Sequence, residues 1–138
     1  MTVVLLRHAS AGDRLNWGGD DMLRPLDRRG RAQSLALRDA LLRRGVTRVL
    51  SSPYVRCTET VAPLAASLGV TVELDDRLAE GAGGTSAREL LAARDGCVAC
   101  THGDIVEELI GRTLKKGAAA VLDLEGGELR LLEKLKAP

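Results

Sequence analysis

The sequence predicts an α/β fold: a three-layer α/β/α sandwich on a mostly parallel sheet with an antiparallel edge strand. Three observations predict it. Short apolar runs rich in β-branched residues alternate with helical segments along the chain. The run Cys97-Val98-Ala99-Cys100-Thr101 carries small, mostly apolar residues at successive positions, as a strand covered on both faces requires. The chain has 138 residues, the length of one domain, so one sheet must organise residues 1–138.

The elements follow in order. Val3-Val4-Leu5-Leu6 is a continuous apolar run and reads as a buried strand. Residues 9–26 are polar and contain Gly12, Gly18 and Gly19, which marks a loop. Asp27 is a good N-cap for a helix to about residue 44, where Gly45 stops it. Ala36, Leu37, Ala40 and Leu41 share one face of that helix, and its arginines coat the solvent side. Residues 48–51 form a second strand. A helix follows, with Val61, Leu64, Ala65 and Leu68 at helical spacing and Gly69 as its stop. Pro63 costs about 3 kcal/mol inside a helix, which predicts a kink or a start near Thr60.

Residues 71–74 read as a third strand and 81–85 as a glycine-rich loop. Ser86 is placed to cap a short helix to Ala93. After the strand at 97–101, Asp104 caps a helix to about Thr113. Residues 119–124 and 128–132 flank Gly126-Gly127, a two-residue hairpin signal that makes the last strand an antiparallel edge. Residues 134–138 are expected to fray.

Composition excludes several function classes. Twenty basic residues stand against 19 acidic ones, so a generally basic binder of nucleic-acid polymers is ruled out. One Trp, one Tyr and no Phe leave no platform for stacking bases. Sixteen of the 20 basic residues are Arg, a bias that a GC-rich genome accounts for. The apolar run at 3–6 ends at Arg7, too short for a membrane span or a signal peptide. Three cysteines form an odd set that cannot be a pure disulfide framework, which points to a reduced, cytoplasmic setting. Cys97 and Cys100 lie three apart on a strand and so point to opposite faces, which excludes a redox pair. Zinc would need two further ligands. Cys57 reads as helix packing.

Function is predicted from the strand ends. In open α/β sheets, ligands sit beyond the carboxyl ends of the strands. The first strand delivers Arg7 and His8, and the second Ser51, Ser52, Pro53 and, one turn on, Arg56. The third delivers Arg77 and Glu80, and the fourth His102 and Gly103. The chain has two histidines, and both are on this rim. Arginines bind phosphoryl oxygens through charge-assisted bidentate bonds. One imidazole can attack phosphorus, the other can stabilise the transition state, and a carboxyl group can protonate the leaving group. No metal or cofactor is required, because arginine supplies the positive charge.

These residues also carry a resemblance. Leu6-Arg7-His8-Ala9, Ser51-Ser52-Pro53 with Arg56 and Glu59-Thr60, and Thr101-His102-Gly103 together resemble the histidine phosphatase superfamily, which is phosphoglycerate-mutase-like in fold. Arg24-Pro25-Leu26, Gly30 and Gln33 look like the entry to the first helix in small bacterial members. The resemblance spans about residues 3–113. It implies that His8 is the nucleophile, that Arg7, Arg56 and His102 complete the phosphate pocket, and that Glu80 is the proton donor, with Asp76 or Asp104 as substitutes. Ser52 would contact phosphate or form a turn. Trp17 would anchor its loop or touch substrate at the rim. Ala9 stands where Gly is commonest, and Asp27 where Thr is often found.

The expected activity is a metal-independent phosphatase acting through a phosphohistidine intermediate. The absence of a long insertion predicts an open site and disfavours a mutase. An open site suits a phosphohistidine on a protein, as in the small SixA-like branch, or a small phosphomonoester or nucleotide. The segment around Gly12-Asp13 and 20–26 also looks like the phosphatase domain fused to Nudix hydrolases in actinobacteria, which act on nucleotides. A non-catalytic phosphate-binding module is the reading from another class. The expected partner is therefore a phosphorylated protein or small phosphomonoester, with no membrane.

Overall fold

The computed structural model describes residues 2–138. Strands and helices alternate as β1 (Thr2–Arg7), α1 (Arg28–Leu42), β2 (Arg48–Ser51), α2 (Val55–Leu68), β3 (Glu73–Leu74), α3 (Gly84–Ala92), β4 (Cys97–Thr101) and α4 (Gly103–Ile110). The hairpin β5 (Ala119–Glu125) and β6 (Glu128–Leu135) ends the fold. Short 3-10 turns lie at Arg14–Asn16, Asp21–Leu23 and Asp76–Leu78. The fold is the α/β sandwich that the alternation predicts.

One sheet runs in the order β3-β2-β4-β1-β5-β6. β1 is apolar at four successive positions because both its faces are covered. Val3 and Leu5 enter the core shared with α3 and α4, while Val4 and Leu6 enter the core shared with α1 and α2. β4 divides the same way, Cys97 and Ala99 against Val98 and Cys100. The two cysteines therefore face opposite layers, and all three cysteines are free.

β4 pairs in parallel with β1 on one side and β2 on the other, in register at Val4↔Val98 and Val49↔Val98. Bonding continues past the strand ends: His8 N–H donates to Thr101 O at 3.0 Å, and Ser52 N–H to Cys100 O at 3.0 Å. That continuity sets His8, Ser52 and His102 side by side on one rim.

Several expectations need correction. The edge strand β6 pairs antiparallel, as predicted, and its neighbour β5 also pairs antiparallel with β1. β6 reaches Leu135, past the predicted end, and Pro138 O accepts from Gln33 Nε2 at 3.3 Å, so the tail is tied down. β3 has two ladder residues rather than four, Glu73 and Leu74; a short edge strand leaves little unpaired backbone. α2 starts at Val55 rather than near Thr60 and continues through Pro63. Its buried face of Cys57, Val61, Leu64 and Ala65 offsets the ~3 kcal/mol cost of the proline, since one fully buried Val or Leu stabilises by about 1.5–3 kcal/mol. Gly83, not Ser86, precedes the first turn of α3. His102 occupies the N-cap position of α4, and Asp104 instead accepts from Gly81 N–H at 2.8 Å. α1 ends at Leu42 and α4 at Ile110, a few residues short of the predicted limits.

Asp27 does cap α1, accepting from Gly30 N–H at 2.8 Å. Gly30 is required there for space. A Cβ at that position would lie 1.9 Å from the Ser10 carbonyl oxygen. The missing side chain lets α1 approach the loop that follows His8.

Candidate active site

The loop after β1 is held from three directions. Ala9 N–H donates to Thr60 Oγ1 at 3.0 Å, Ser10 N–H to Gln33 Oε1 at 2.9 Å, and Ser10 Oγ to Asp27 Oδ2 at 2.7 Å. His8 is therefore fixed at its base, and its side chain is 5% exposed. Its Nδ1 lies 2.8 Å from Ala9 O. A carbonyl can only accept, so Nδ1 carries the proton and Nε2 presents a lone pair. Burial lowers the His8 pKa from 6.5 to about 3, and the charges of His102, Arg56 and Arg7 push the same way. The bond to Ala9 O opposes them. His8 is thus a neutral imidazole with a free Nε2, the form that a nucleophile needs.

His102 is 1% exposed, with its ring 5.4 Å from that of His8 in an edge-on arrangement. Ser52 Oγ lies 2.9 Å from His102 Nε2 and also accepts from Tyr54 N–H at 3.2 Å. Ser52 thus acts on the orientation of His102. The Tyr54 ring stands 4.7 Å from His102, and the Arg56 guanidinium lies over it at 4.8 Å from its centroid. Cys57 Sγ is 3.6 Å from His102 Nε2. Burial raises the Cys57 thiol pKa, but bonds to Cys100, His102 and Ser52 outweigh this and bring it below the ordinary range. Burial pushes Cys97, in the opposite layer, up to about 11.

Arg56 is fully buried on the first turn of α2. Its Nη1 donates to Asp21 O at 2.9 Å, and its Nη2 lies 3.2 Å from Asp21 Oδ2 and 3.5 Å from Glu80 Oε2. Glu80 Oε1 takes a 2.8 Å bond from Arg14. Arg7 donates to Leu114 O at 2.7 Å, and its guanidinium fills the space above Gly103, where a Cβ would lie 3.0 Å from Arg7 Cζ.

Three buried nitrogens around His8 have no hydrogen-bond partner: Arg7 Nε, Arg56 Nε and His102 Nδ1. A buried donor left unpaired costs about 1–3 kcal/mol. Three together on one rim concentrate unpaired polar nitrogens beside His8. The adjoining cavity is about 540 Å³ and is lined by Arg7, His8, Arg14, Arg24, Glu80 and Lys116, among others.

The structure thus brings together Arg7, His8, Ser52, Arg56, Glu80 and His102. Asp104 also lines the cavity, and its Oδ1 is buried without a partner. Asp76 is exposed and does not line it. Trp17 stands apart: its indole N–H donates to Asp20 O at 2.8 Å, and its ring lines a separate groove with Asn16 and Pro25. Sequence reasoning missed Asp21, Arg14 and Tyr54. Asp21 joins Arg14, Arg24 and Arg56, yet it sits in a polar loop whose path no periodicity predicts.

Fold and site together define an α/β protein with arginines and both histidines gathered at the carboxyl rim of its parallel strands. The family follows from comparison. The model of the histidine phosphatase superfamily (branch 1) matches residues 3–88, and the chain belongs to that superfamily. An 8-oxo-(d)GTP phosphatase of Mycolicibacterium smegmatis is 36% identical over 156 aligned residues, covering 99% of this chain and 48% of its own. The chain spans about half of that relative's length or less, and 26% of a Mycobacterium tuberculosis protein, Rv0525, that is 45% identical over 53 residues. Among solved structures, the protein histidine phosphatase SixA complexed with tungstate superposes with a TM-score of 0.83 at 23% identity, covering 99% of this chain and 97% of that one. A protein assigned as phosphohistidine phosphatase SixA from Agrobacterium tumefaciens gives a TM-score of 0.80 at 25% identity, covering 99% and 98%. Among the described residues, no helix is long and apolar enough to cross a membrane.

Proposed function

We propose that the protein is a phosphatase that works through a phosphohistidine at His8. The observation that carries this reading is the neutral, Nε2-free His8 set among three buried, unpartnered nitrogens, Arg7 Nε, Arg56 Nε and His102 Nδ1. In the first step His8 Nε2 attacks phosphorus, an N–P bond forms, and the bond to the leaving group breaks. Arg7, Arg56 and His102 hold the phosphoryl oxygens as charge builds. Glu80, or Asp104 bonded to the neighbouring Gly81 N–H, gives a proton to a leaving oxygen. In the second step the same carboxylate takes a proton from water, which attacks phosphorus and frees His8. His8→Ala should abolish phosphatase activity while circular dichroism stays unchanged. Full activity in that variant would end this reading.

For the substrate, we favour a phosphohistidine on a protein. The SixA-like architecture and the open cleft support it. Nucleotides are the second reading, favoured by the 36% identity to the 8-oxo-(d)GTP phosphatase. A screen of phosphohistidine proteins, nucleotides and sugar phosphates, each against His8→Ala, separates them.

A further inference from the structure

A second groove, about 740 Å³ in volume, lies beside the cleft, and Arg7, Thr113 and Leu114 line both. Its lining includes the aliphatic side chains Leu114, Ala118, Leu135 and Ala137. Four further cations line it: Arg29 from the first turn of α1, Lys115, and Lys134 and Lys136 from the end of β6 and beyond. All four are exposed. Among the described residues no acidic side chain lines this groove, whereas Asp13, Glu80, Asp104 and Glu107 line the cleft.

The chain's charges are otherwise balanced, 20 basic against 19 acidic, so a groove lined by cations alone departs from the average surface. The lysines sharpen the contrast. Of the chain's four, Lys115, Lys134 and Lys136 line this groove and Lys116 lines the cleft. Residues 115 and 134–136 are distant in sequence and meet because β6 returns along β5 to the rim where β1 ends.

We propose that this groove docks an acidic segment of the phosphorylated protein whose phosphoryl group enters the cleft at His8. The proposal rests on the phosphoprotein reading above. Aspartates and glutamates of the segment meet the four cations, and an apolar residue between them meets the aliphatic lining. A chain leaving the cleft passes Arg7 and Leu114 directly into the groove, because both cavities share that wall. A nucleoside fits less well, since among the described residues no aromatic ring lines the groove to stack a base. Complementary charge of this kind speeds encounter and selects the partner, and it weakens with salt.

The test uses two phosphohistidine peptides that differ only in their flanks, one acidic and one neutral, with p-nitrophenyl phosphate as a substrate that has no flank. Each is turned over by the full chain and by the double variant Lys134→Ala, Lys136→Ala, in low and high salt. Both lysines are exposed and outside the catalytic set, so the variant keeps the fold. The acidic flank should lower KM about 5-fold in low salt. That advantage should vanish in the double variant and in high salt, while p-nitrophenyl phosphate kinetics stay the same. Equal KM for the two peptides, both being turned over, would sink the groove and leave the phosphoprotein reading standing. Turnover of p-nitrophenyl phosphate but of neither peptide would sink both. A double variant that raises KM for nucleoside triphosphates and not for the acidic peptide would reassign the groove to nucleotides.

Discussion

Acid should destabilise this protein through His8 in a defined window. The unfolded imidazole has a pKa near 6.5, and the folded one is held down to about 3. Above pH 6.5 neither state is protonated, and His8 makes no pH-dependent contribution. Between pH 6.5 and 3 the unfolded chain binds a proton that the folded chain refuses, so stability falls as pH falls. One pKa unit corresponds to about 1.4 kcal/mol, so His8 should cost about 2 kcal/mol by pH 5. His8→Asn removes the titrating group at similar size. The assay is urea unfolding of both proteins at pH 8 and pH 5. The stability that the wild type loses over this interval should exceed the loss in His8→Asn by about 2 kcal/mol. Equal losses would refute the burial argument. With only two histidines in the chain, ring nitrogen NMR can assign each directly, and His8 should show the Nδ1–H tautomer at pH 5.

Other expectations follow from single contacts. Gly30→Ala puts a Cβ 1.9 Å from the Ser10 carbonyl oxygen and should cost about 3 kcal/mol of stability, read by thermal or urea unfolding. Gly103→Ala crowds the Arg7 guanidinium at 3.0 Å, so phosphate affinity should fall about 10-fold by competition assay, with a smaller stability change. Ser52→Ala removes the hydroxyl at His102 Nε2, and kcat should fall about 10-fold with KM little changed if His102 acts mainly in the transition state. Glu80→Gln should slow alkyl phosphates more than phosphoramidates, whose leaving nitrogen departs more readily; equal loss on both would assign Glu80 a positioning role instead.

Much of the site was legible because the sheet makes it so. A strand end is a local signal, and three neighbouring strands in one sheet, β1, β2 and β4, must bring Arg7, His8, Ser52 and His102 to a common rim. Glu80 and Arg56 each lie a few residues past a strand, and short connections kept them near. Asp21 was illegible for the opposite reason. Its position depends on a long loop folding back onto Arg56, a contact between residues 35 apart in the chain rather than a repeating pattern. Pro63 misled in another way: its local penalty is real, but the buried face of α2 outweighs it. The extra length of β6 was hidden by Leu132, Glu133 and Lys134, whose pattern around the bulge opposite Val121 and Leu122 does not alternate.

With His8 as the nucleophile, the transferred phosphoryl group passes through a covalent bond to its Nε2. The most direct measurement is rapid acid-free quenching of the enzyme with radiolabelled p-nitrophenyl phosphate, followed by mapping of the labelled peptide. An acid-labile, alkali-stable label is expected on the peptide that contains His8, and none in His8→Ala. An acid-stable label, or a label that persists in His8→Ala, would contradict it.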